Sequence, residues 1–169
     1  YYSIELNYLN DSQIFNLAYS YFASDSLVKS KLFFKKLLNS SNSCAAAAQY
    51  YYAHIAYQNK DFISSLEWFL KLEEKTKFSD IIPYYIAQIY YQKKEYKKLI
   101  LFLESKVDNI ITSRTTEVNR LLAESNYHLE NYDRAIKYFN LYFSNNNSFA
   151  KQEYYMLAFS YFKSLDNVN

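Results

Sequence analysis

Apolar segments of helical length alternate along this chain with short polar stretches. Four longer polar stretches separate larger units, at residues 39–43, 77–80, 108–113 and 144–148. Shorter ones divide the apolar sequence within units, as at 59–61 and 130–131. Polar residues of this kind favour helix caps and turns. The pattern predicts an all-α chain with helices near residues 12–23, 26–39, 46–58, 61–75, 82–93, 95–106, 116–129, 132–144 and 149–164.

A hydrophobic residue followed by alanine recurs along the chain, and these signature alanines are Ala18, Ala53, Ala87, Ala123 and Ala158. They are separated by 35, 34, 36 and 35 residues. Such a fixed period indicates a repeated helix pair that packs on its neighbours. The predicted units are residues 11–44, 46–78, 80–114 and 116–148, followed by a final helix at 149–165. Residues 1–10 have no assignment.

The second half of each predicted unit has its own pattern, a small residue followed by an aromatic residue four positions later. It is present as Ser30 with Phe34, Ser65 with Phe69, and Ala135 with Phe139. The third unit departs from it, with Leu99 and Leu103 at these positions. In the first half, the third residue after each signature alanine is Tyr21, Ala56, Tyr90, Asn126 or Tyr161.

On these positions the chain resembles the tetratricopeptide repeat family over nearly its whole length, in the style of its bacterial multi-repeat members. The resemblance implies an α-solenoid, a right-handed superhelix of antiparallel helix pairs, with four units and a terminal helix. Alanine replaces the family's glycine in all five first helices, and the family's Trp and closing Pro are absent from their expected places. Alanine has the highest helix propensity, so this replacement favours local helix stability.

One face of each predicted first helix is rich in aromatic residues. Positions three before, one after and four after the signature alanine share a helical face, which we call the groove stripe. The resemblance implies that first helices line a concave surface that receives peptides. The predicted groove residues are Phe15, Tyr19, Phe22, Tyr50, His54, Tyr57, Gln58, Tyr84, Gln88, Tyr91, Gln92, Arg120, Glu124, Tyr127 and His128. The alternative is that the tyrosines fill the seam between successive first helices.

The composition excludes several kinds of catalytic site. The chain has no glycine, whereas phosphate loops, dinucleotide fingerprints, nucleophile elbows and kinase loops all require it. His54 and His128 lie outside any zinc-protease motif, and Cys44 is the only cysteine. We therefore expect no catalytic residue, no metal site, no cofactor and no enzyme activity.

The charge balance favours neither nucleic acid nor an acidic membrane surface as partner. There are 19 Lys and Arg against 17 Asp and Glu, a net charge of +2. No stretch approaches the roughly 18 continuous apolar residues of a membrane span. A single cysteine, Cys44, does not indicate a cellular compartment. The resemblance to bacterial multi-repeat proteins favours the periplasm or envelope over the cytoplasm.

These observations predict a non-catalytic scaffold that binds a peptide or protein segment in an aromatic-lined concave groove. The alternative function is an architectural array that assembles through its ends and its convex surface. The final helix is aromatic on several faces, which leaves apolar area bare unless further protein covers it. We therefore expect self-association through the C-terminal helix, and the chain is interpreted as a segment of a longer array.

Overall fold

The computed structural model describes residues 9–73, 77–106, 114–144 and 150–166. Nine α-helices and no strand lie within these residues, and the all-α prediction is confirmed. Helix ends differ from the predicted ones by at most three residues. The helices are α1 (Asp11–Ala23), α2 (Leu27–Lys36), α3 (Ala45–Gln58), α4 (Phe62–Leu72), α5 (Ile82–Gln92), α6 (Tyr96–Glu104), α7 (Thr115–His128), α8 (Tyr132–Ser144) and α9 (Lys151–Asp166).

The helices fall into two compact units that divide between Ser79 and Asp80. In the first unit, α1 packs on α2, α2 on α3 and α3 on α4. The second unit continues in the same way from α5 to α9, and there α7 also contacts both α5 and α9. This packing is that of consecutive helix pairs, so we call α1, α3, α5, α7 and α9 first helices and the others second helices. The predicted boundary at 108–113, that at 144–148 except for Ser144, and residues 1–8 lie outside the described residues.

The same main-chain turn joins the two helices of a pair four times. In each turn one residue adopts a left-handed conformation with φ between 57° and 60°, at Asp25, Lys60, Lys94 and Glu130. At Lys60 the amide donates to the carbonyl of Tyr57, and the amide of Asp61 donates to the carbonyl of Ala56, both at 2.9 Å. These two bonds form a Schellman motif, which satisfies carbonyls at the helix end. The left-handed conformation costs a residue other than glycine roughly 1–2 kcal/mol. None of these four turns has a glycine, so each of them carries this cost.

The interior of each helix pair is built on the signature alanine. Ala18, Ala53, Ala87 and Ala123 are all fully buried. In the first unit, the hydroxyl of Ser30 donates to the carbonyl of Ala18, and that of Ser65 to the carbonyl of Ala53, each at 2.9 Å. The aromatic residues of the second-helix pattern are also fully buried, at Phe34, Phe69 and Phe139. So are Leu99 and Leu103, which occupy the two pattern positions in α6. The predicted small-and-aromatic pattern is therefore a core pattern.

Candidate functional site

All three residues of the groove stripe of α1 pack on one shared ring of the next first helix. Phe15, Tyr19 and Phe22 lie with ring centroids 6.3, 5.4 and 5.0 Å from that of Tyr51. On its other side, Tyr51 stacks on the buried Phe34 of α2 at 5.3 Å with the rings 13° apart. Here the aromatic residues fill the seam between first helices, although Tyr19 remains 46% exposed.

The groove stripe of α3 is half-buried, and its rings contact other aromatic residues of the first unit. Tyr50 stacks on Phe78 with the ring centroids 4.2 Å apart and lies 6.0 Å from His54. Tyr57 contacts Phe62, the first residue of α4, at 6.1 Å. Burial lowers the pKa of His54 below its ordinary value, because the charged imidazole loses solvation. His54 is therefore neutral in the folded protein at neutral pH.

The groove stripes of the second unit contain a polar network between two first helices. Glu124 is buried, with only 6% of the residue exposed. It accepts a bond of 2.7 Å from Nη1 of Arg120, one turn earlier on α7. Tyr91 on α5 donates its hydroxyl to the other Glu124 oxygen. Three predicted groove residues are thus brought together, and the buried carboxylate has charge-assisted partners, as burial of a charge requires.

The protonation states in this network follow from its geometry. Burial, the hydrogen bond to Glu124 and the negative charge of Glu124 raise the pKa of Tyr91 well above its ordinary value. Burial alone would lower the pKa of Arg120, but the charge and hydrogen bond of Glu124 raise it overall. Arg120 is therefore a fixed cation, and Tyr91 keeps its proton as a donor.

Two other groups of groove residues extend along α5 and α7. The side-chain amide of Gln88, a buried residue, donates to the hydroxyl of Tyr84 at 3.2 Å. The Arg114 guanidinium lies over the Tyr84 ring, 5.2 Å from its centroid. At the other end, Tyr127 contacts Phe159 of α9 edge-on at 5.9 Å. The first helices of this unit therefore present rings whose orientations are set by their neighbours.

Three predicted groove residues lie on the surface at the carboxyl ends of the first helices. Gln58, Gln92 and His128 are all exposed. His128 stacks on Tyr96, the first residue of α6, with the ring centroids 4.6 Å apart and the rings 14° apart. These side chains are accessible to a ligand beside the half-buried rings.

Sequence reasoning missed Tyr51, the residue that organises the aromatic cluster of the first unit. Tyr51 precedes its signature alanine by two positions. The same position in the second unit holds the half-buried Tyr85, the buried Leu121 and the buried Met156. A large residue two positions before the alanine was the available signal. Leu121 and Met156 at this position lie in core clusters with residues of the preceding helices of the second unit.

No three His, Cys, Asp or Glu side chains are grouped as metal ligands within the part of the chain that the structure describes. Across residues 9–73, 77–106, 114–144 and 150–166, no helix combines the length and apolar character needed to cross a membrane. No protein-family model matches this chain, and no curated protein shows significant similarity to it.

Proposed function

We propose that this chain is a right-handed solenoid of the tetratricopeptide type, and that it acts as a non-catalytic scaffold that binds an extended segment of a partner protein. The repeated Schellman turns and the buried alanines with their serine donors support the repeat assignment. The binding surface is the groove stripes of the first helices. The observation that carries this function is the network of Arg120, Glu124 and Tyr91 among ordered aromatic rings.

Arg120 is suited to hold a carbonyl or carboxylate group of a bound segment. A guanidinium carries five N–H donors in a fixed fork, so it can bind Glu124 and a ligand oxygen at the same time. The Arg120 side chain is 26% exposed, which leaves it within reach of a ligand. Because Glu124 already fixes its rotamer, binding loses little side-chain entropy there.

The aromatic neighbours supply the apolar part of such a surface. Tyrosine provides contact area and a hydroxyl at modest entropic cost, and it is frequent at binding hot spots. Tyr84 and Tyr127 are half-buried with their rings held by Arg114 and Phe159. A segment with alternating apolar side chains and an accessible main chain matches this combination of rings and polar groups.

The test begins with affinity capture from the native source and identification of the partner by mass spectrometry. Binding of the purified partner is then measured for Tyr91→Phe and Arg120→Met, well below their melting temperatures. We expect a loss of about tenfold or more for Arg120→Met, as for an interface hot spot. The matched control is Arg134→Met, because Arg134 pairs with Glu104 at 2.8 Å in the same unit but on the second helices.

Unchanged affinity in folded Arg120→Met would place the binding surface elsewhere. A selective loss in Arg134→Met would favour the alternative function, an architectural array that assembles through its ends and its convex surface. One observation favours that alternative: large apolar side chains on the second helices are exposed, with Val28 at 83%, Ile63 at 82% and Leu101 at 71%. If Val28→Ser and Ile63→Ser prevent assembly while Arg120→Met does not, the architectural function is the correct one.

A further inference from the structure

An open groove lies on the first unit between the second helix α2 and the first helix α3. We call it the α2 groove, and its volume is about 380 Å³. The residues that line it are Val28, Lys31, Leu32, Lys35, Tyr52 and Asn59. Tyr52 is buried and closes the groove from below, whereas Val28 is 83% and Leu32 58% exposed. The groove therefore offers aliphatic area to a ligand above a closed floor.

The two lysines of the groove differ in what they contact. The Lys31 ammonium lies 3.1 Å from the carboxylate of Asp61, the N-cap residue of α4, and 5.1 Å from the centroid of the Tyr52 ring. Lys35, one turn further along α2, is exposed. Within the residues that the structure describes, Lys35 makes no ion pair. The charge of Lys31 is thus compensated by the fold, and that of Lys35 is available to a ligand.

The second unit shows the same groove position with its charges paired. Counted from the signature alanines, Glu104 of α6 takes the position of Lys35. On the following second helix, Arg134 takes the position of Ser64. Glu104 and Arg134 line a groove of about 490 Å³, and the guanidinium donates to the carboxylate at 2.8 Å. The α2 groove has no acidic residue at either of these two positions, so a carboxylate opposite Lys35 has to come from a ligand.

The surroundings of the α2 groove are also basic. The helix α2 has four lysines and no acidic residue, and the lysines are Lys29, Lys31, Lys35 and Lys36. Val28, Leu32 and Lys35 follow one another at spacings of four and three, so they share one face of the helix. Aliphatic area and a positive charge therefore follow each other along a single line. Charge complementarity favours a ligand with the same order of apolar and acidic groups.

We propose that the α2 groove binds an acidic amphipathic helix of another protein. Two aliphatic side chains of that helix, one turn apart, lie on Val28 and Leu32, and a carboxylate one turn later pairs with Lys35. An anionic membrane matches the site less well, because a flat bilayer contacts the exposed rim but does not fill a groove above the buried Tyr52. The site lies on the second helices, so it stands whether or not the groove stripes bind a peptide.

The probe is a stapled, fluorescein-labelled helix of about 14 residues, since free helices of this length are marginal in water. It has two leucines one turn apart, two glutamates one turn later, and its staple on the opposite face. Binding to the whole chain is followed by fluorescence anisotropy in about 50 mM salt, where charges are weakly screened. We expect saturable binding that Leu32→Ser and Lys35→Glu each weaken about fivefold or more.

Each variant has a matched control. Leu101→Ser matches Leu32→Ser, because Leu101 is 71% exposed at the equivalent position of the second unit. Lys36→Glu matches Lys35→Glu, because it makes the same charge change at a neighbouring exposed lysine, which lies over the Phe33 ring at 5.5 Å and outside the groove. Both controls should change the affinity by less than about twofold. Circular dichroism checks that all four variants keep their helicity.

A charge exchange tests the contact with Lys35 directly. A second peptide carries lysines in place of the two glutamates and should bind the Lys35→Glu variant more tightly than it binds the unchanged chain. This reversal depends on the peptide charge lying opposite Lys35. The same affinity for both proteins would contradict the proposed pairing.

Three further outcomes would overturn the proposal. The first is no saturable binding of the acidic peptide up to about 1 mM. The second is an equal loss in Lys35→Glu and Lys36→Glu, which would show general attraction to a basic helix and no docking in the groove. The third is sedimentation with phosphatidylcholine vesicles containing about 30% phosphatidylserine, lost in Leu32→Ser, while the peptide does not bind. That result would assign the same residues to a membrane surface.

Discussion

The hydroxyl of Ser65 donates to the carbonyl oxygen of Ala53 at 2.9 Å, and both residues are fully buried. Ser65→Ala removes this bond at little change in volume, so we expect the free energy of unfolding to fall by about 1 kcal/mol. Ser65→Leu also overpacks the helix pair and should cost about 1–3 kcal/mol more. Urea denaturation measures both. As a control, Ser20→Ala removes an exposed hydroxyl bonded to its own helix and should change stability by less than about 0.5 kcal/mol.

The left-handed residue Lys60 predicts a stabilising substitution. Glycine adopts its φ of 60° without steric cost, so Lys60→Gly should raise the free energy of unfolding by about 0.5–1 kcal/mol. Lys60→Val should instead lower it, because a β-branched residue tolerates this conformation least. Glu67→Gly, in the middle of α4, should cost about 1 kcal/mol. A lower melting temperature for Lys60→Gly would contradict the role assigned to this turn.

Burial of His54 predicts that stability decreases toward acidic pH. Its folded pKa is below the ordinary value of 6.5. As the pH falls through 6.5, the unfolded chain binds a proton that the folded protein does not, and the free energy of unfolding decreases until the folded pKa is reached. Urea midpoints between about pH 5.5 and 8 should show this slope, and His54→Gln should reduce it. NMR titration of the His54 ring at or above 6.5 would contradict the prediction.

Arg120 and Glu124 should be energetically coupled. Arg120→Met leaves the carboxylate of Glu124, a residue only 6% exposed, without its cation, and we expect the free energy of unfolding to fall by about 2 kcal/mol. Glu124→Gln should relieve most of that loss in the double variant, giving a coupling energy of about 1 kcal/mol or more. The exposed pair of Arg134 and Glu104 should couple by less than about 0.5–1 kcal/mol. If the losses in unfolding free energy of the two single variants simply add in the double variant, Arg120 and Glu124 are not energetically coupled.

The helix pattern could be predicted well from sequence because each pair repeats both a small residue and a large one at fixed positions. Those positions decide which face is buried, and Ala53 and Ser65 were correctly placed on facing helices. The neighbours that cross between first helices could not be predicted in the same way. Tyr51 and Tyr91 reach residues more than 30 positions away, and periodicity within one helix says nothing of such contacts.

The burial of Glu124 illustrates this limit. Charged residues are normally exposed, and the sequence placed Glu124 among the groove residues without indicating its burial. The ion pair with Arg120, four positions earlier, forms within one helix. The donor that completes the network is Tyr91, from a helix one repeat earlier, and only the fold brings its hydroxyl to the carboxylate.

The bonds that close the first two helix pairs join residues only 12 positions apart in the chain. Short separations of this kind close loops at little entropic cost and are typical of fast-folding proteins. During synthesis the amino-terminal segments emerge first, and each of these pairs has its own turn, caps and core within a few dozen residues. These helix pairs can therefore fold one after another during synthesis, in the order in which they leave the ribosome.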